Sequence, residues 1–264
     1  MSRWWTESRR LHLAAPVSAG MDAADGVSRG QAVLAAWGEQ LDRQALPAGT
    51  RVHAVISDAL LRYRLVPWHA RLSSPTERMA LARQGFTEAF GDLAARWTVQ
   101  VEPARHGQAG LACAVDSSLV EGVVQALAAR QLRLHSLQPM LAWALNPLRR
   151  QIARMSGGSD ACFVLQHAGG STWLWLADEG LRHVRQIAGP VDLEQAWRRE
   201  WFSLGAEGQA PPLLTLDLRA GSIDGGADGS IDGSASAPSP ATTLHTVVLR
   251  APLSFFVAQA PGLA

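Results

Sequence analysis

Apolar positions along this chain switch between the helical period and strict alternation. Arg10 to Ala15 reads as a first strand, and Pro16 to Val27 as a small, polar loop. Ser28 and Gln31 have capping-box spacing, and Val33, Leu34, Trp37 and Leu41 then repeat at helical period until Leu46 to Gly49 closes the helix. Val52 to Ser57 is a short apolar run, an interior strand. After Asp58 the pattern alternates, with Leu61, Tyr63 and Leu65 on one face and Arg62 and Arg64 on the other, ending at Pro67-Trp68. Ser74-Pro75-Thr76-Glu77 carries an N-cap serine, a proline at the first helical position and a glutamate three residues on. Met79, Ala82, Phe86, Phe90, Leu93 and Trp97 extend it into a long amphipathic helix.

Trp97, Val99 and Val101 alternate. Leu111 to Val115 is apolar throughout, as a strand covered on both faces is. Asp116 caps a helix with Leu119, Val120, Val123, Val124 and Leu127 on its apolar face. Leu132 to Leu137 is a strand, and Pro139 opens a helix through Leu141, Ala144, Leu148 and Ile152, kinked at Asn146-Pro147. The stretch from Ala161 to Ile187 reads as three strands joined by tight turns. Leu193, Trp197, Trp201 and Leu204 then follow Asp192 at helical period, and Leu213 to Leu218 and Thr243 to Arg250 are further strands.

This alternation predicts an α/β chain with mixed sheets. The second part reads β-β-β-α-β-loop-β, and the first holds comparable pieces plus an insertion. The expected division is a first half over residues 1–158 with a small subdomain inserted at about 60–115, and a second half over 159–264. The second half contains a low-complexity loop at about 219–241, expected to be disordered, with Gly-Ser-Ile-Asp-Gly at 221–225 and again at 229–233.

Composition narrows the classes. The chain has 264 residues, 47% of them hydrophobic, and a net charge of +1, so nothing pulls it toward nucleic acid. All 24 basic residues are Arg. The absence of Lys excludes a Walker-type phosphate loop and Schiff-base chemistry. Cys113 and Cys162 each lie inside an apolar run and read as small buried hydrophobes in a reducing, cytoplasmic setting. No run reaches the ~18 apolar residues of a membrane span, and the N-terminal Met-Ser-Arg-Trp-Trp has no signal-peptide core.

Candidate chemistry concentrates in one turn. Gly169, Gly170, Ser171 and Thr172 join two apolar strands, and a small glycine-rich turn of this kind either cradles a phosphate with backbone N–H groups or is a plain β-turn. His167 stands just ahead of it, where hydrolysis would call for a carboxylate. The eight His are scattered, with no zinc-helix spacing. Most of the ten Trp fall at helix-core spacing, while Trp4, Trp5 and Trp68 are placed for partner contact.

Four stretches together resemble the actin-like pilus-assembly proteins of the PilM type and the cytoplasmic domain of the type II secretion L component. They are His53 to Trp68, Ser74 to Trp97, Leu111 to Pro139 and Phe163 to Ile187. The resemblance implies an actin-like fold of two ribonuclease-H-like halves, with the inserted subdomain as the peptide-holding region. It implies a cytoplasmic protein peripheral to the inner membrane, holding the tail of a membrane pilus or secretion component, the motor ATPase, or both. A homodimer is a further assembly to test. The family's two Asp-x-Gly loops are absent: Leu11 to Gly20 has no matching carboxylate, and the second loop reads His167-Ala168-Gly169-Gly170. The expectation is therefore a non-catalytic scaffold without a cofactor. The alternatives are an ATP-switched form using Gly169 to Thr172 and, further off, a small-molecule kinase on the same fold.

Overall fold

The computed structural model describes residues 26–70, 74–102, 105–155, 160–177, 180–203, 211, 213–218 and 246–248. The expected strand at Arg10 to Ala15, the loop ahead of the first helix, Trp4 and Trp5, and the 221–233 repeats lie outside these residues. In chain order the elements are α1 (Gly26–Gln44), β1 (Arg51–Ile56), a 3-10 turn (Asp58–Leu60), β2 (Leu61–Val66), α2 (Pro75–Phe90), a 3-10 turn (Gly91–Arg96), β3 (Trp97–Val101), β4 (Gly110–Asp116), α3 (Ser117–Ala128) and β5 (Arg133–Pro139). They continue with α4 (Met140–Met155), β6 (Ala161–His167), β7 (Gly170–Ala177), β8 (Gly180–Ala188), α5 (Leu193–Ser203), β9 (Leu213–Asp217) and β10 (Thr246–Val248).

Local chemistry sets the boundaries. At α2 the Ser74 hydroxyl accepts from the Glu77 N–H (3.1 Å), and the Glu77 carboxylate accepts from the Ser74 N–H (3.0 Å), a complete capping box. Asp116 caps α3 by accepting from the Ser118 N–H at 2.9 Å. Asp192 does the same for α5, toward Glu194 and Gln195. Two expectations shift. Ser28 and Gln31 lie within α1, which already begins at Gly26, and Pro139 ends β5 rather than opening α4. Pro147 sits inside α4, which continues past it to Met155.

β6, β7 and β8 form an antiparallel meander; β9 runs parallel to β6, and β10 parallel to β9, giving the order β10-β9-β6-β7-β8. A three-strand meander, a helix and two parallel strands on the far side of the first strand make up the ribonuclease-H-like half. Earlier in the chain β1 pairs in parallel with β5. α1 and α3 pack on this pair, burying Leu41, Val123 and Leu127 against Val52 and Ala54. Between β1 and α3 the chain builds a separate antiparallel sheet, β2-β4-β3, whose Val99, Ala112 and Ala114 pack on Ala82 and Phe86 of α2. β1 and β2, only one turn apart, thus belong to different sheets. Mixed sheets and a small sheet inserted between a parallel strand and its helix form the α/β, actin-like architecture expected of the sequence.

The core is thickest in the second sheet. Every residue of β6 is buried, as are the first six of β7. Phe163, Leu165 and Leu174 face α4 through Leu141, Leu148 and Ile152, while Cys162, Val164, Trp173 and Trp175 face Ala196 and Trp197 of α5. The two most deeply stacked strand tryptophans, Trp173 and Trp175, therefore sit on a sheet rather than at helix-core spacing, and Trp175 lies 4.7 Å from Trp197 between ring centroids. Buried Glu200 of α5 is neutralised by Arg185 of β8 at 2.5 Å. Both cysteines are free thiols.

Candidate functional site

The turn between β6 and β7 meets the first half at the 3-10 turn after β1. Gly169 does not occupy the left-handed region; space is what it supplies. A Cβ added there would lie 2.5 Å from the Cβ of Ala59. Gly170 has φ +142, and its added Cβ would lie 2.1 Å from the Ile187 carbonyl oxygen of β8. Only glycine fits this approach. The Gly169 N–H donates to His167 Nδ1 at 3.2 Å, and its carbonyl accepts from the Gly189 N–H at 3.0 Å.

The four residues predicted to cradle a phosphate do not converge. β7 is a central strand between β6 and β8, so the N–H groups of Ser171 and Thr172 belong to its ladders. Successive side chains on a strand point to opposite faces. The Ser171 hydroxyl goes to the α5 side, where it accepts from Trp173 Nε1 at 2.8 Å. Thr172, fully buried, goes to the other side and faces Asp58. His167 is buried; with Nδ1 accepting from Gly169, the ring proton sits on Nε2, which has no partner among the described residues. Burial lowers the His167 pKa to about 4, so the imidazole is neutral near pH 7.

Asp58 is the residue that the sequence reading passed over. It is wholly buried at the end of β1. Its Oδ1 accepts from the Tyr63 hydroxyl at 2.7 Å and from the Leu141 N–H, at the start of α4, at 3.1 Å. Its Oδ2 and the Thr172 Oγ1 are both buried, and neither closes a hydrogen bond among the described residues. Burial pushes the Asp58 carboxyl up to about 6; the groups from Tyr63, Thr172 and Leu141 pull the other way. Burial, and then the charge of Asp58, push the Tyr63 hydroxyl up as well and the Cys113 thiol to about 12. Gln186 of β8 completes the seam. Its amide donates to the carbonyls of Asp58 (3.0 Å) and Leu61 (3.2 Å), and its oxygen accepts from the Tyr63 N–H (3.3 Å). The signal was present in the sequence: a carboxylate two residues beyond an apolar strand.

Three solved structures are similar in arrangement. The PilM-PilN type IV pilus biogenesis complex matches at TM-score 0.47 and 16% identity, over 79% of this chain and 72% of that one. The cytoplasmic domain of EpsL, an inner membrane component of the type II secretion system of Vibrio cholerae, matches at 0.44 and 13%, over 70% and 68%. A Bacteroides thetaiotaomicron protein with an actin-like ATPase fold and unknown function matches at 0.47 and 11%, over 70% and 67%. No family model and no curated protein matches the chain.

What the junction can do chemically is limited by what fills it. Productive phosphoryl transfer needs a carboxylate in reach of metal or water. Asp58 is instead held by Tyr63, by a backbone N–H and in an apolar seam that favours its neutral form.

Proposed function

We propose that this protein is a non-catalytic, actin-like scaffold of a type IV pilus or type II secretion platform. In this reading it works at the cytoplasmic face of the inner membrane and holds the tail of a membrane component, the motor ATPase, or both. One observation carries the non-catalytic part: the turn expected to cradle phosphates is packed against Ala59 and Ile187, with its hydroxyls on opposite faces of β7. The division of the chain at about residue 158 and the subdomain bounds of about 60–115 belong to this reading.

The partner part rests on the sequence resemblance and on the inserted sheet. β2 is an edge strand. The Tyr63 N–H points away from β4, where Gln186 of β8 takes it up, and by alternation the Leu65 N–H points away from β4 as well. Beside it, Arg64, Val66 and Pro67 with Leu81, Gln84 and Glu88 of α2 line a cavity of about 100 Å³. Trp68, 37% exposed, stands just beyond Pro67, its ring 4.8 Å from that of His106. An extended peptide adding to such an edge gains main-chain hydrogen bonds from the strand and specificity from the neighbouring cavity. No helix among the described residues is long and apolar enough to cross a membrane.

The test is calorimetric titration of the purified chain with Mg-ATP, together with an ATP turnover assay and a screen of cytoplasmic tails of pilus and secretion membrane components. The scaffold reading expects no saturable ATP heat, no turnover, and one tail whose binding is lost in Leu65→Pro. Saturable ATP binding with turnover would replace it with the ATP-switched form built on Gly169 to Thr172.

A further inference from the structure

β1 and β5 bring basic groups side by side at their starts. Arg51 and Arg133 are register partners, and both are exposed. Neighbouring strands lie about 4.8 Å apart, so the two stems stand together on one face. One step on, the register slips between Val52 and His53: His53 pairs with Ser136, and His135 is the extra residue. A bulge of this kind sets two consecutive side chains against one and re-aims them. Here His53 Nδ1 lies 2.7 Å from the Ser136 hydroxyl, and the His53 and His135 rings meet edge to face, 4.6 Å between centroids.

The stretches that carry these two strands are free of acidic residues. Neither 43–57 nor 122–155 contains a single Asp or Glu. Among the described residues the ion pairs engage other arginines. Burial first, and then the charge on His135, lowers the His53 pKa. Guanidinium forks match the geometry of a phosphate, and each imidazole adds an N–H.

We infer that the bulged start of the β1–β5 pair binds one phosphate-sized dianion, gripped by Arg51 and Arg133 with His53 and His135 donating to its oxygens. This site is not the turn at 167–170. The length of β1 separates it from Asp58, roughly 20 Å at about 3.3 Å per residue. It stands or falls independently of the scaffold reading.

The experiment uses the full chain and inorganic phosphate, with chloride at matched ionic strength as the control. Histidine ring NMR signals and titration calorimetry are the readouts. Phosphate is expected to shift the His53 and His135 signals saturably with one-site stoichiometry. In R51Q/R133Q the affinity is expected to fall at least about tenfold, while the melting temperature without phosphate stays that of the parent. A shift reproduced by chloride, or equal affinity in R51Q/R133Q, overturns the assignment.

Discussion

β5 and β6 flank the same helix, α4, yet they live in different surroundings. All seven residues of β6 are buried, whereas none of β5 is. β6 has strands on both sides and helices on both faces. Among the described residues β5 pairs with β1 alone. The five-strand sheet is covered on both faces by α4 and α5, whereas Arg51, Arg133 and His135 of the β1–β5 pair are exposed.

The sharpest way to break this contrast is to truncate one side chain on each strand. Trp173→Ala, beneath α5 and wholly buried, should cost about 3–5 kcal/mol in urea denaturation. Gln138→Ala on β5 should stay within about 0.5 kcal/mol. Similar losses at both positions would erase the division.

The seam gives the next largest effect, and it depends on pH. The Asp58 carboxyl lies at about 6 in the native state, against about 3.9 in an unfolded chain. The native state therefore holds this proton more tightly. The stability it contributes is fully present below about pH 4 and is lost as pH rises through 6, on the order of 2–3 kcal/mol. Protonated, Oδ2 also gains a hydrogen to offer the Thr172 hydroxyl. Denaturation midpoints from pH 4 to 8 should show this slope in the parent, and Asp58→Asn should flatten it. A slope unchanged in the variant would place the titration elsewhere.

Gly170→Ala comes next, at about 1–3 kcal/mol, since its Cβ meets the Ile187 carbonyl in a conformation that L residues avoid. Gly107, also at positive φ but facing open space, should cost about 1 kcal/mol when changed to Ala, from backbone strain alone. Ser74→Ala removes the capping box of α2 and should cost a comparable amount, about 1 kcal/mol by thermal melting.

Much of the fold was legible because its signals are local. The Ser74 box, the Asp116 cap and the alternation through Trp97 to Val101 each depend on residues a few places apart. The meander after Ala161 was legible for the same reason. The site was less so. That Ser171 and Thr172 face opposite ways follows from strand alternation, but that Thr172 meets Asp58 depends on how two distant stretches pack. The β5 bulge was equally hidden, because a register slip leaves no mark on hydrophobic spacing. His167 is buried beside the turn, while the acid that reaches the junction is Asp58, more than a hundred residues earlier in the chain.

The most direct test of the sealed junction is amide hydrogen exchange at Gly169 to Thr172, measured with and without Mg-ATP. The sealed seam predicts slow exchange at these positions and no change when nucleotide is added. Rapid exchange in the free chain that slows on adding Mg-ATP would contradict it.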